Sequence, residues 1–395
     1  MKIAIITNLY PPFVRGGAEW LTYLVAVELK KAGHDVLVIT SSPKTALANK
    51  KLQLVNEDGV VVYRFCPVNI YYYLNANKYP KIFRFIWQVI NLFNWSARKV
   101  IKKILIKEQP ELVITANMMG LTFLLPKLLR QFSFKHFHIV HDVQLLHPSG
   151  LFIAGNEYIN NATKLYQLIT RLLFGSPKVV IFPSRWLCQE YTSKNFFSLS
   201  NKIVQRNPTL GKNIHSIKPT SSTLKILYVG QAEEHKGIFW LSEILKSYSR
   251  PGWLMEIVII GQTGDLERIH KLVDDDNRFR LYDRLTQAEV ESKYQQATIV
   301  IVPSLCMENS PVSIQQALSV STPVLAAKVG GVPELVQEEK TGWLFKAGDK
   351  QELINKLDYL LSNPKIVSAI ANKINTHYQP VTLAEYVDKL IFLLN

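Results

Sequence analysis

The sequence has little cysteine. Cys66, Cys188 and Cys306 are the only three in 395 residues, and none forms a CxxC spacing. An odd, scattered set excludes a disulfide framework and a thiolate zinc cluster, and it points to a reducing, cytoplasmic setting. The start, "MKIAIITNLYPP", lacks the apolar core of a secretory leader: Pro11 and Pro12 stop a short run that reads as a first strand. No stretch reaches the ~20 consecutive apolar residues of a membrane span. Acid is also scarce. Lys and Arg number 46 against 31 Asp and Glu, a net charge of +15. Such an excess favours anionic partners (nucleic acid, acidic lipid or phosphorylated substrate) without choosing among them. No recognised nucleic-acid motif accompanies it. A GxGxxG fingerprint is missing after the first strand, and "GQTGD" at 261–265 does not supply one, so a dinucleotide oxidoreductase loses its main support.

What is present is a series of short apolar runs alternating with helical patterns. "KIAIIT", "HDVLVIT", "VVVYRF", "ELVIT", "FHIVHD" and "KVVIFPS" occupy the first half. Regularity lapses over 207–223, "NPTLGKNIHSIKPTSST", as in a linker. "LKILYVG", "MEIVIIG", "RFRLYD", "TIVIVPS" and "PVLAA" then form a second series. Runs apolar throughout and separated by helices signify parallel sheets covered on both faces. The reading is α/β, with two doubly wound domains joined by one linker. Residues 70–107 stand apart. They are rich in aromatics, carry Lys78, Lys81, Arg84, Arg98, Lys99, Lys102, Lys103 and Lys107, and contain no acid. This segment reads mostly as helix, either as an ordinary domain helix or as a patch for an anionic lipid surface.

In open α/β sheets, ligands bind at the carboxyl ends of strands. After the first strand, Gly16 and Gly17 precede a helix, where backbone N–H groups can approach an anion; a tight turn is the plainer alternative. In "GQAEEHKG" (230–237), Lys236 at a helix start suits a pyrophosphate. His136 and His138 share a strand face and raise a metal site, but no supporting Cys or HExxH spacing lies nearby. The His141-Asp142 pair at that strand's end is the better candidate for polar chemistry. "VDDDNRF" (273–279) reads as a solvated turn rather than a metal site. "MENSPVSIQQAL" (307–318) runs from one acid, Glu308, into a helix that carries Gln316.

Together these residues resemble glycosyltransferase family 4, retaining enzymes of the two-Rossmann GT-B fold. The likeness runs nearly end to end through "YPPFVRGGAEW", "HD" at 141–142, "FPS" at 182–184, "GQAEEHKG", "VIIGQTGD", "VPSLCMENSPVSIQQALSVSTPVLAAKVGGVPELV" and "KTGWLF". It implies two Rossmann-like domains facing a central cleft. Residues 1–208, completed by a closing helix at 379–395, would take the acceptor, and 209–378 the nucleotide-sugar. It also implies transfer of a sugar from a UDP- or GDP-sugar to an acceptor hydroxyl with retention, in polysaccharide or glycolipid assembly, with no cofactor and no metal. The expected partners are the donor, a glycan or lipid-linked acceptor and an anionic membrane surface, but not nucleic acid. The expected location is the cytoplasm, peripherally on the inner face of the membrane.

By the same resemblance, Glu308, Lys236 and His141 are catalytic. Gly16, Gly17, Gln231, Lys236, Leu285, Glu308, Asn309, Ser310, Pro311, Val312 and Gln316 bind the donor, with base choice set over 282–286, and Gly331 and Glu334 close the loop behind it. Two positions depart from the family pattern. Gln316 stands where a second glutamate contacts ribose, and Gln231 where an arginine faces the diphosphate. Losing one charge-assisted contact costs about 1.5–3 kcal/mol. A GT-B protein that binds nucleotide-sugar with weak or no turnover is therefore the alternative reading.

Overall fold

The computed structural model describes residues 1–47, 51–155, 160–209, 218–283 and 285–394, the side chains of residues 77, 81 and 262–264 excepted. The chain divides into two compact units: Met1–Leu151, Tyr158–Arg206 and Leu383–Asn395 form the first, Phe152–Glu157 and Asn207–Thr382 the second.

The first unit holds eight strands: β1 (Lys2–Thr7), β2 (Asp35–Ser41), β3 (Gln53–Glu57), β4 (Val60–Phe65), β5 (Leu112–Thr115), β6 (Lys135–Ile139), β7 (Val179–Phe182) and β8 (Asn201–Val204). Their spatial order is β3-β4-β2-β1-β5-β6-β7-β8. Every pairing is parallel except β3 with β4. Ile3, Ile5 and Ile6 of β1 are fully buried, as expected of a strand with helices on both sides. Helices α1 (Gly17–Lys31), α2 (Lys81–Leu92), α3 (Trp95–Glu108), α4 (Leu125–Gln131), α5 (Asn161–Phe174) and α6 (Arg185–Ser193) surround the sheet. The aromatic, basic segment is thus two helices, broken where Asn94 accepts from the Ala97 N–H and caps α3.

The second unit holds β9 (Leu224–Ala232), β10 (Trp253–Gly264), β11 (Phe279–Tyr282), β12 (Ile299–Val302), β13 (Val324–Ala327) and β14 (Gly342–Phe345), all parallel, in the order β11-β10-β9-β12-β13-β14. Its helices are α7 (Ile238–Ser247), α8 (Leu266–Val273), α9 (Gln287–Gln296), α10 (Val312–Ser319), α11 (Lys350–Ser362), α12 (Pro364–Ala371) and α13 (Ile374–His377). The last helix, α14 (Leu383–Phe392), belongs to the first unit. It buries Tyr386, Val387 and Leu390, and Gln205 donates to the Tyr386 carbonyl at 3.0 Å.

The boundaries differ from the expected 208/209 and 379 in three places, the first unit ending at Arg206 rather than 208. Residues 152–157 join the second unit because Ala154 N–H donates to Leu305 O (2.9 Å) and Met307 N–H to Phe152 O (2.8 Å). Residues 379–382 stay with the second unit too, where Thr209 N–H reaches Val381 O at 2.9 Å. Residues 210–217 of the expected linker lie outside the described residues. In each sheet the chain order reverses beside one strand, at β1/β5 and at β9/β12. Loops leaving the carboxyl ends there are the places for a ligand.

Candidate functional site

In the second unit three such loops converge. β9 ends in a short turn, Glu234–Lys236, closed by Gly237 at φ +75°. A side chain at 237 would put its Cβ 1.9 Å from the Pro303 carbonyl oxygen, so only glycine lets this turn lie against the loop after β12. From the turn, Lys236 Nζ reaches Glu308 Oε1 at 2.8 Å, and Ser304 Oγ donates to the same oxygen at 2.7 Å. Glu308 is also held by its main chain: Gly331 N–H donates to its carbonyl at 2.7 Å. Gly330, at φ +51°, allows this approach, since a Cβ there would lie 2.1 Å from that oxygen.

Burial pushes the Glu308 carboxyl up, but the Lys236 charge, its hydrogen bond and Ser304 outweigh that and hold it below its usual range. Burial lowers Lys236, and Glu308 more than restores it. The pair is ionised. Beside it, His235 Nδ1 lies 3.3 Å from Glu233 Oε2. Burial, then Glu308, pushes the Cys306 thiol up to about 12, which leaves it inert.

The loop continues through Asn309 and Ser310, whose hydroxyl takes a 3.0 Å bond from buried Gln315. Pro311 precedes α10, Val312 opens it, and Gln316 lies buried a turn further on. Glu334 sits in the turn 332–334, where its N–H bonds Gly331 O at 3.1 Å. Leu285 packs against the core of this unit, and Arg284, beside it in the expected base-reading loop, lies outside the described residues. The Gln231 carbonyl accepts from Tyr228 Oη at 2.7 Å.

In the first unit, Gly16 and Gly17 begin α1 as expected, but the Gly16 N–H is already occupied. It donates to Glu19 Oε2 at 2.8 Å, because the helix carries its own acid one turn in. Here, then, the Gly16 N–H has a partner within its own helix. Gly16 is also extended, at φ −161°, and needs no glycine for its backbone. Arg15 donates to Tyr73 Oη at 3.2 Å. At the end of β6, burial pushes His141 down to about 4, so it is neutral near pH 7. Its neighbour Asp142 accepts from Gln144 N–H (2.8 Å) and Asn117 Nδ2 (3.4 Å). Burial, then the nearby Glu19 charge, raises Asp142 to about 7 against the pull of Gln144 N–H and Arg15.

Reasoning from sequence alone missed Ser304, Glu19 and the Glu233–His235 pair. Ser304 was findable: it follows β12 four residues before Glu308.

The histidines of β6 and the acids of 274–276 have structural partners. Thr115 Oγ1 lies 2.7 Å from His136 Nε2 and 2.9 Å from His138 Nδ1 inside the sheet. Asp275 pairs with Lys246 at 2.7 Å and Asp276 with Arg278 at 2.6 Å, as a surface turn would. Among the described residues, no three His, Cys, Asp or Glu side chains are placed to share a metal ion, and no helix is long and apolar enough to cross a membrane.

Comparison with known proteins bears on the family and the fold. The model for "Glycosyl transferases group 1" matches residues 212–376, and that for "Glycosyltransferase Family 4" matches 15–199. An uncharacterized 42.6 kDa protein in the cps region of Klebsiella pneumoniae is 22% identical over 338 residues, 85% of this chain and 87% of that protein. The amylovoran biosynthesis glycosyltransferase AmsK of Erwinia amylovora is 30% identical over 184 residues, but the match spans only 42% of this chain and 45% of AmsK. The crystal structure of Anabaena Alr3699/HepE in complex with UDP superposes with a TM-score of 0.70 at 17% identity, covering 100% of this chain and 99% of that one, a likeness of fold. With two parallel-sheet units and a family match on each half, the chain belongs to the GT-B glycosyltransferases of the group 1 and family 4 kind.

Proposed function

We propose that this glycosyltransferase moves a sugar from a UDP- or GDP-sugar to an acceptor hydroxyl with retention, without a metal ion, in polysaccharide or glycolipid assembly on the inner face of a membrane. The observation that carries the reading is the ionised Lys236–Glu308 pair, locked by Ser304 and the Gly331 N–H. A fixed ammonium at a strand's carboxyl end suits a leaving diphosphate whose charge grows as the glycosidic bond breaks. A carboxylate held beside it suits the hydroxyls of the departing sugar. His141, neutral through burial, is suited to hold a sugar hydroxyl rather than to take its proton. Lys236 and the N–H groups at the start of α10 take the electrostatic place of a cation. The relatives support the setting: AmsK is named for amylovoran biosynthesis, and the HepE structure holds UDP.

The test is a thermal-shift screen with UDP- and GDP-sugars, followed by donor hydrolysis and transfer. A true donor at ~100 times its Kd adds about 2.7 kcal/mol. No shift with any nucleotide-sugar refutes the reading. Binding with no turnover on any acceptor selects the alternative that the glutamine at 231 raises, a nucleotide-sugar-binding protein with little or no activity.

A further inference from the structure

A helix on a water-soluble surface turns its apolar stripe inward and its polar residues out. Two helices of the first unit also turn a row of apolar side chains outward and bury polar ones beside Trp87, Leu92, Tyr166 and Phe174. On α2 the inward residues include Gln88 and Asn91, both buried. Asn91 Oδ1 accepts from Gly120 N–H at 2.8 Å, and Gln88 Nε2 donates to Tyr166 Oη at 3.0 Å. The outward stripe is Ile82, Phe85, Ile86 and Val89, at helical spacing, with Phe85 67% exposed. α5 likewise exposes an apolar row. It buries Thr163 and Thr170, with the Thr170 hydroxyl bonded to Leu145 O at 2.7 Å, and exposes Leu165, Leu168 and Leu172, the last at 69%. The Gln88–Tyr166 bond joins the two helices.

Each helix thus presents an exposed row of Phe, Ile, Val or Leu side chains, the kind of apolar surface that marks a docking face. Its occupant can be argued from charge. Neither helix contains Asp or Glu, while Lys78, Arg84 and Lys164 stand exposed around the stripe. A second copy laid patch to patch would set these cations against one another, which disfavours association. An anionic bilayer answers both features, with headgroups for the cations and acyl chains for the side chains.

We infer that α2 and α5 together form a membrane-inserting platform for an anionic lipid surface, and that inserted side chains rather than the lysines of α3 carry most of its affinity. α3 turns Ala97, Ile101, Ile104 and Leu105 into the core, Lys102 lies over the Phe132 ring, and Lys107 bonds Tyr63. The platform rests on the membrane setting proposed above and names the residues that would meet it.

The experiment is flotation of the full chain with vesicles of phosphatidylcholine alone and of phosphatidylcholine mixed equally with phosphatidylglycerol, alongside UDP binding by calorimetry and light scattering for mass. Wild type floats with the mixed vesicles and retains part of its binding in high salt. Phe85→Ser with Leu172→Ser, both on outward positions, lowers partition by about tenfold or more and leaves UDP binding unchanged. Replacing Lys99, Lys102, Lys103 and Lys107 by Gln changes it far less. The inference falls if wild type floats with neither vesicle, if the double serine variant floats like wild type, or if wild type is a dimer that this variant converts to monomer. Because UDP binding is read separately, loss of the platform and loss of the proposed transfer are told apart.

Discussion

Replacing Lys236 by Met removes a cation and leaves its carboxylate behind. Glu308 Oε1 lies 2.8 Å from Lys236 Nζ, and the two side chains are 26% and 14% exposed. At an effective dielectric constant of ~20 the attraction across that distance is about 6 kcal/mol, offset by the cost of drying both groups. Breaking a buried pair from one side costs about 3–5 kcal/mol. With Lys236 a quarter exposed, the lower end applies, about 3 kcal/mol. In a unit of this size each kcal/mol moves the Tm by about 2–4 °C, so Lys236→Met lowers it by roughly 6–12 °C. Adding Glu308→Gln removes the stranded charge and restores at least half of the loss. The pH sense is fixed by Glu308, held below its ordinary value of 4.5. Its contribution is complete above that value and fades as pH falls through the folded one, so wild type and Lys236→Met converge in acid. Scanning calorimetry of the three proteins decides the matter. If the single and double variants melt together, or the single variant melts with wild type, the buried pair does not stabilise the fold as argued.

Three further outcomes are expected. Gln231→Arg supplies a second cation near the diphosphate and tightens UDP about tenfold by calorimetry, about 1.4 kcal/mol; unchanged affinity means that another basic group already serves. Transfer persists in excess chelator, whereas a strict need for Mn²⁺ or Mg²⁺, lost on replacing Asp274 or Asp276, would overturn the metal-free mechanism. Asp142→Asn keeps the acceptor for Gln144 N–H but removes a carboxyl raised from 3.8 to about 7. Wild-type stability from this group is complete below about pH 4 and lost as pH rises to about 7. The Asn variant therefore gains on wild type across that window, by at most about 4 kcal/mol and roughly half that for a carboxyl with one edge wet. Denaturant midpoints that run parallel from pH 4 to 8 refute it.

Legibility from sequence followed burial. β1 and β12, "KIAIIT" and "IVIV", are buried on both faces, so their apolar runs read directly as parallel strands. β3, "QLVNE", alternates and pairs antiparallel at an edge, which leaves no such run. In the sequence alone, Gln88, Asn91 and Asn94 simply interrupt the apolar residues of 81–107. In the fold Gln88 and Asn91 share the inner face of α2 with Trp87 and Leu92, and Asn94 caps α3, because a one-dimensional pattern shows that a helix is two-sided without saying which side meets the protein. Lys236 and Glu308 were legible as members of loops. Their 2.8 Å pairing across 72 residues was not, since it depends on β9 and β12 lying adjacent.

The helix Leu383–Phe392 has a consequence for how the molecule is made. It lies with α1, is held by Gln205 and by Lys135 to the Leu394 carbonyl, and supplies the buried Tyr386. A ribosome reaches that helix only after translating all of Asn207–Thr382. At about 5–20 residues per second, the nascent first unit waits on the order of ten seconds or more with the place of Tyr386 uncovered. The second unit, contiguous but for a six-residue tether, can fold in that interval. Synthesis order is therefore the reverse of completion order: the half begun first closes last. A nascent chain stalled before residue 383 should accordingly recruit chaperones to its N-terminal part.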